Sequence, residues 1–166
     1  MARCQSRQAS VRSCRHRRMC RRNAARISIL RTYLDTSVVV SFFIDEVHAT
    51  TSRTWAASQP SVALSEWTLT EFTSALSHLV RAGTLSERER NIAELAFDRW
   101  AADGIVLEVP RERFQEARRL MRMHRRLRAP DALHLAIARH AGLALATVDR
   151  DMKDAAVAEG MDVVDL

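Results

Sequence analysis

From residue 29 onward, short apolar runs rich in β-branched residues alternate with longer stretches of helical periodicity. This alternation predicts an α/β fold with a central, mostly parallel β-sheet flanked by helices, because parallel strands need a crossover, usually a helix, between them. Five short runs have the length and composition of buried parallel strands. The predicted strands are 29–34, 61–64, 105–109, 143–148 and 161–164.

The longer stretches predict helices at 37–43, 48–58, 68–81, 86–102, 111–127 and 131–141. Ser86 and Glu89 have the spacing of a capping box, and Gly104 follows the end of the same helix. The helix predicted at 131–141 is apolar on nearly every side, which predicts that it is buried in the middle of the domain.

The helix predicted at 111–127 combines an apolar stripe with many arginines. Its apolar residues recur at helical spacing and are expected to face the core. They are Phe114, Ala117, Leu120 and Met121.

The basic character of the chain is concentrated at its start. Residues 1–32 contain ten arginines and no acid, so the net charge of +6 divides into +10 there and −4 in the remainder. Residues 1–28 have no apolar periodicity and are expected to form a disordered basic leader, with 29–166 as the folded domain. Three interpretations of the leader stay open: a tail that touches RNA, a targeting segment, or upstream sequence translated because the start codon is assigned too early, which we favour.

All three cysteines lie in that leader, and their spacing does not match structural zinc sites. The remainder of the chain contains no cysteine, so it needs no oxidising compartment, which favours the cytoplasm. No apolar run approaches the ~20 residues of a membrane span, and no membrane association is expected.

Four carboxylates occupy positions where α/β folds build sites. Asp35 and Asp149 directly follow predicted strands, Asp131 lies in the first turn of the buried helix, and Glu71 borders an apolar stripe. Each acid alone has an ordinary explanation as a helix cap, a helix-dipole partner or a solvated side chain. Together they would converge at one sheet edge, where close carboxylates need a cation, and this predicts a hard divalent ion such as Mg²⁺ or Mn²⁺.

Four segments in this order, YLDTS at 33–37, LTEF at 69–72, PDALHLA at 130–136 and ATVD at 146–149, resemble the motifs of PIN domains. More narrowly, residues 29–166 resemble the VapC toxins of bacterial type II toxin–antitoxin systems, which are small ribonucleases. Any one segment is weak evidence, whereas four in the right order are specific. The first 28 residues have no counterpart in the family.

The resemblance implies a PIN-like fold and an endoribonuclease, a hydrolase acting on ester bonds, that uses Mg²⁺ or Mn²⁺ to orient a water for attack on an RNA phosphodiester. The acids that match the family's metal pocket are Asp35, Glu71, Asp131 and Asp149. Ser37 and Thr147 match hydroxyl positions of that pocket and are expected to hydrogen-bond around it.

An acidic pocket cannot attract RNA by itself, so cations around it must bind the backbone. Arg125, Arg126 and Arg128 precede Asp131 and are candidates for this role. The alternative is an ordinary solvated, ion-paired helix face. His134 lies three residues after Asp131, but carboxylate-rich Mg²⁺ sites seldom recruit imidazole, so a structural role is predicted for it.

The resemblance also implies two protein partners, a cognate VapB-like antitoxin and a second copy of the chain in a homodimer. Apolar surface around four aromatic residues is expected to serve such contacts. They are Trp55, Trp67, Phe97 and Trp100.

Other functions stay open to different degrees. A PIN-like module that binds RNA or protein without turnover is the main alternative, although all four acids are retained. A haloacid dehalogenase-type phosphotransferase needs a second Asp where Ser37 stands. A receiver domain needs paired acids near its start, whereas Asp45 and Glu46 follow a predicted helix.

Overall fold

The computed structural model of the protein describes residues 32–44, 53–55, 61–164 and 166. The predicted leader 1–28, the start of the first strand and most of the helix predicted at 48–58 lie outside the described residues. Within that helix, 53–55 are helical.

Five short strands form one parallel sheet in the order β3-β2-β1-β4-β5. The strands are β1 (Thr32–Leu34), β2 (Val62–Ser65), β3 (Ile105–Leu107), β4 (Ala144–Ala146) and β5 (Val163–Val164). The predicted α/β class and parallel sheet are confirmed. The order changes direction at β1, so β2 and β4 lie on either side of the first strand, which is where parallel sheets open a crevice at their carboxyl edge.

Among the described residues, six helices of eight or more residues connect or flank these strands. They are α1 (Thr36–Phe43), α2 (Glu66–Arg81), α3 (Glu87–Asp103), α4 (Arg111–Met123), α5 (Ala129–Ala141) and α6 (Arg150–Ala158). The predicted capping box of α3 is present: Ser86 N donates to Glu89 Oε2 at 2.8 Å, and Glu89 N donates to Ser86 Oγ at 3.2 Å.

Three predicted helix boundaries are wrong by two residues or more, the first being that α2 begins at Glu66 and not at residue 68. Helix α4 ends at Met123 and not at residue 127, because His124 leaves helical geometry with an extended backbone at φ −116° and ψ 95°. Helix α5 begins at Ala129, and Pro130 lies inside its first turn. Proline is tolerated there because the N–H it lacks has no intrahelical partner at a helix start.

The core lies between the sheet and its helices. Phe72 of α2 and Phe97 of α3 are almost fully buried and stack with ring centroids 4.1 Å apart. Seven consecutive residues of α5, Ala132 to Ala138, are buried, which confirms the prediction of a central helix. No described helix has the length and apolarity to cross a bilayer.

Two expectations about apolar residues are wrong. Phe114 is 48% exposed although Ala117 and Leu120 of its stripe are buried, because helical spacing gives a direction but does not decide whether a neighbour covers the first turn. Phe97 belongs to the core and contributes no docking surface. The exposed apolar residues of α3 are instead Ile92 and Leu95, which are 60% and 53% exposed.

Candidate active site

A cleft of about 600 Å³ opens at the carboxyl edge of the sheet, and all four predicted acids line it. Asp35 follows β1, Asp149 follows β4, Asp131 lies in the first turn of α5, and Glu71 lies on α2. Four segments that are far apart in sequence therefore deliver carboxylates to one place, because neighbouring parallel strands end at the same edge.

Asp35 is buried, with 2% of its surface exposed, and both of its carboxylate oxygens accept hydrogen bonds. Oδ1 accepts from Ser37 Oγ at 2.6 Å and from Val38 N at 3.1 Å, and Oδ2 accepts from Thr147 Oγ1. The bond from Val38 N makes Asp35 the N-cap of α1. The two hydroxyl residues that the sequence singles out are thus both placed on this carboxylate.

Asp149 and Asp131 also occupy helix starts. Asp149 caps α6 by accepting from Met152 N at 2.8 Å, and Asp131 Oδ2 accepts from Arg128 N at 3.2 Å. Partial burial raises the pKa of Asp131, and the negative charges of Asp149, Glu71 and Asp35 raise it further against the effect of the Arg128 N–H. Asp131 and Asp149 therefore accept hydrogen bonds at helix starts and also line the same cleft.

Glu71 is held through one oxygen. Its Oε2 accepts from Thr36 Oγ1 at 2.5 Å and lies 2.5 Å from His134 Nε2. Burial opposes ionisation, but the hydrogen bond and charge of His134 and the Thr36 hydroxyl outweigh it, so the pKa of Glu71 lies below its usual value. The carboxylate is consequently an ionised acceptor.

His134 is buried, with 1% exposure, at the inner end of the cleft. Its Nδ1 lies 2.6 Å from Tyr33 Oη, and its Nε2 lies 3.1 Å from Thr36 Oγ1 as well as near Glu71. Burial raises the pKa of Tyr33, so its hydroxyl stays protonated. The sequence signal for these partners was present but unspecific: Tyr33 and Thr36 stand inside the YLDTS segment, and His134 lies one helical turn after Asp131.

Of the three arginines predicted to bind RNA, one lines the cleft. Arg128 lines it, whereas Arg125 and Arg126 do not. The Arg126 side chain is 84% exposed, and its Nη1 lies 3.5 Å from Asp151 Oδ1. Helix α2 adds Arg81 to the lining, ten residues after Glu71. Neither Arg81 nor Arg128 forms an ion pair with any carboxylate in the described part of the chain.

Sequence reasoning overlooked the α2 residues of the lining, although their spacing was readable. Ser74, His78 and Arg81 follow Glu71 by three, seven and ten residues, which places them on one face of the helix.

The donor chemistry of the cleft suits a hard divalent cation. Carboxylate oxygens are the ligands that Mg²⁺ and Mn²⁺ prefer. Burial and the negative charges of the neighbouring carboxylates disfavour the ionised form of Asp131. Within the described residues, no group of three or more His, Cys, Asp and Glu side chains is arranged to hold a metal ion as it stands. Mg²⁺ is commonly bound by one or two carboxylates together with several waters, so the fit does not require such a group.

The family model of the PIN domain matches residues 32–158, which is most of the chain. The chain therefore belongs to the PIN-domain family, and the predicted PIN-like fold is confirmed. A comparison with curated proteins finds no match.

Solved structures share this fold at low sequence identity. VapC20 of Mycobacterium tuberculosis, described as a toxin that cleaves the sarcin-ricin loop, is 23% identical with a TM-score of 0.62; the match covers 81% of this chain and 99% of that one. VapBC-5 of the same organism, a member of a toxin–antitoxin family, is 23% identical with a TM-score of 0.56 and coverage of 82% and 98%. FitAcB of Neisseria gonorrhoeae is 20% identical with a TM-score of 0.59 and coverage of 81% and 96%.

Proposed function

We propose that this protein is a metal-dependent endoribonuclease and the toxin of a VapC-like type II toxin–antitoxin module. The observation that carries the proposal is the convergence of four carboxylates, Asp35, Glu71, Asp131 and Asp149, on one cleft of a PIN domain. Helix capping alone does not explain why these acids share a cleft with Arg81 and Arg128, which have no carboxylate partner among the described residues.

Hydrolysis of a phosphodiester needs an activated water in line with the leaving oxygen and stabilisation of the charge that develops on the phosphate. A divalent ion in the cleft supplies both when it is bound. Asp35 and Asp131 are the carboxylates best suited to hold it. Hydrogen bonds from Ser37 and Thr147 fix the orientation of Asp35, and Asp131 is partly buried beside three other carboxylates whose repulsion a cation would offset. Glu71 and Asp149 complete the acidic lining.

The substrate must bring its polyanionic backbone to an acidic site, so cations at the cleft have to offset the repulsion. Arg128 and Arg81 line the cleft and have no carboxylate partner in the described residues, which leaves both guanidinium groups available for phosphate oxygens. Arg125 and Arg126 are placed outside the lining and are the weaker candidates for RNA contact.

The partners that belong to this proposal are an RNA substrate, a VapB-like antitoxin and a second copy of the chain. Support for an antitoxin comes from VapBC-5 of Mycobacterium tuberculosis, a structure of the same fold that is described as a member of a family of toxin–antitoxin systems. Ile92 and Leu95 offer exposed apolar surface on α3 for a protein contact.

The test is cleavage of a mixed RNA pool by the full chain with Mg²⁺, with Mn²⁺ and with EDTA. Asp131→Asn is expected to lower the rate by about 100-fold or more, because it removes a charged oxygen ligand while its amide oxygen still accepts from Arg128 N. Asp154→Asn is the matched control, since Asp154 is exposed on α6 and does not line the cleft.

Cleavage that survives EDTA and Asp131→Asn would contradict the proposal. Folded protein that binds RNA but cleaves none of it with either metal would favour the alternative of a PIN-like module without turnover. Growth arrest on expression of the wild type, but not of Asp131→Asn, would support the assignment as a toxin.

A further inference from the structure

Two polar side chains lie in the core of this domain where apolar ones would be the ordinary choice. Tyr33 of β1 is 0% exposed and His134 of α5 is 1% exposed. Burying such groups is costly unless each polar atom finds a partner, so their presence calls for a connected network.

The network runs from the sheet to the cleft. Ser65 Oγ lies 2.7 Å from Tyr33 Oη, Tyr33 Oη lies 2.6 Å from His134 Nδ1, and His134 Nε2 lies 2.5 Å from Glu71 Oε2. It joins β1, β2, α2 and α5 through side chains that are separated by up to 101 residues in the sequence. It ends on a carboxylate that lines the cleft and not on a backbone group.

The direction of the hydrogen bonds follows from that last acceptor. An ionised carboxylate only accepts, so His134 Nε2 carries a proton and donates to Glu71. Tyr33 Oη lies within hydrogen-bond distance of both His134 Nδ1 and Ser65 Oγ, so both ring nitrogens of His134 and the Tyr33 hydroxyl have partners.

We propose that Tyr33 and His134 are positioning residues that hold Glu71 by its Oε2 oxygen, so that Glu71 serves the cleft through Oε1 alone. Thr36 Oγ1 reinforces the hold by donating to the same Oε2 atom at 2.5 Å. Oε1 accepts no hydrogen bond from the described residues, and Glu71 lines the cleft. This inference rests on the proposed metal-dependent function, since it concerns the affinity of the cleft for its cation.

The test measures Mn²⁺ binding by the full chain through the electron paramagnetic resonance signal of free Mn²⁺, with RNA cleavage and thermal unfolding measured on the same proteins. His134→Leu is expected to weaken Mn²⁺ binding by about 10- to 100-fold, the usual effect of removing a hydrogen-bond partner of a metal ligand. His134→Gln keeps an amide donor within reach of Glu71 and is expected to recover part of that loss.

Tyr33→Phe isolates the far end of the network. It keeps the ring in the core and removes only the hydroxyl 2.6 Å from Nδ1, so it is expected to weaken Mn²⁺ binding by about threefold to tenfold. This variant also decides the question if His134→Leu does not fold.

His124→Leu is the matched control. His124 is another partly buried histidine paired with a glutamate, Nε2 lying 2.9 Å from Glu159 Oε1, but neither residue lines the cleft. It is expected to lower the unfolding temperature without changing the Mn²⁺ affinity.

Folded His134→Leu and Tyr33→Phe that bind Mn²⁺ within twofold of the wild type would overturn the inference while leaving the proposed function intact. A wild type that neither binds Mn²⁺ nor cleaves RNA would overturn the proposed function, and the inference with it.

Discussion

The Thr147 hydroxyl donates a hydrogen bond to Oδ2 of Asp35, which joins the ends of β1 and β4 across 112 residues of sequence. Oδ1 of the same carboxylate accepts from Ser37 Oγ at 2.6 Å. The most buried acid of the cleft therefore has its orientation decided by two hydroxyl groups, one from its own helix start and one from the neighbouring strand end.

Replacing Thr147 by Val is expected to destabilise the protein by about 1–3 kcal/mol, because it leaves a buried carboxylate oxygen without this donor. The change also removes the acceptor of Asp149 N, which lies 3.1 Å from Thr147 Oγ1. Urea unfolding measures the effect. Thr147→Ser keeps the hydroxyl and should lose less than half as much, and a Val variant as stable as the wild type would show that the hydroxyl is not needed.

Asp131→Asn is expected to raise the unfolding temperature of the protein in EDTA at neutral pH. The raised pKa of Asp131 means that burial and the neighbouring carboxylates disfavour its charge in the folded state, so removing that charge relieves the fold. Excess Mn²⁺ should then stabilise the wild type more than the variant, by mass action. Differential scanning fluorimetry in EDTA and in Mn²⁺ measures the unfolding temperatures that both expectations concern. A variant less stable than the wild type in EDTA would contradict this account.

Glu159 ties α6 to α4. Its Oε2 lies 2.6 Å from Arg119 Nη2 and its Oε1 lies 2.9 Å from His124 Nε2, with 11% of its side chain exposed. These partners lower the pKa of Glu159, Arg119 most strongly. A lowered pKa stabilises the fold above the ordinary glutamate pKa of about 4.3, and the contribution is lost as the pH falls through the lowered value.

Glu159→Gln is therefore expected to cost about 1–2 kcal/mol at about pH 6, discounted for the solvent that reaches Arg119, and nothing at acid pH. Urea unfolding of the wild type and the variant from about pH 6 to about pH 3 measures whether their free energies of unfolding become equal as the pH falls. Glu87→Gln, which removes an exposed carboxylate that pairs with Arg90, should change stability by less than about 0.5 kcal/mol at any of these pH values. A Glu159→Gln deficit that persists at the acid end would assign the loss to packing and not to charge.

Arg81→Ala and Arg128→Ala are each expected to weaken binding of single-stranded RNA about threefold to tenfold and to reduce the slope of log affinity against log salt by about 0.7. The measurement uses full-length protein carrying Asp131→Asn, so that the RNA stays intact. Arg126→Ala is the control, because its guanidinium lies by Asp151 outside the cleft. Equal effects of all three substitutions would show that binding follows overall charge and not this cleft.

The elements of the fold were predictable because they depend on local pattern. Alternating apolar runs and helical stretches predicted five strands that each overlap an observed one, and the Ser86–Glu89 spacing located the start of α3. The predicted end of α4 was wrong because a single residue, His124, adopts an extended backbone there. Phe114 has the spacing of a buried residue and is half exposed, since cover comes from a neighbouring element and not from the helix itself.

The acidic residues of the cleft were predictable from the sequence, but the side chains that hydrogen-bond to Glu71 were not. Asp35 and Asp149 follow strands and Asp131 lies in the first turn of a helix, so their positions in the sequence already indicate a shared sheet edge, whereas Glu71 lies within α2. No residue near Glu71 in the sequence indicates that His134 will hydrogen-bond to it, because the two residues are 63 positions apart and meet only when the domain folds.

The sequence by itself determined the class of fold, the order of the strands along the chain and the four acidic motifs, because periodicity, capping and strand-end positions act over a few residues. The tertiary structure alone decided that hydroxyls hold Asp35, that a hydroxyl and an imidazole hold Glu71, and which arginines line the cleft. Those contacts join atoms from separate elements at hydrogen-bond distances, and only the packing of α2 and α5 against the sheet brings such atoms together.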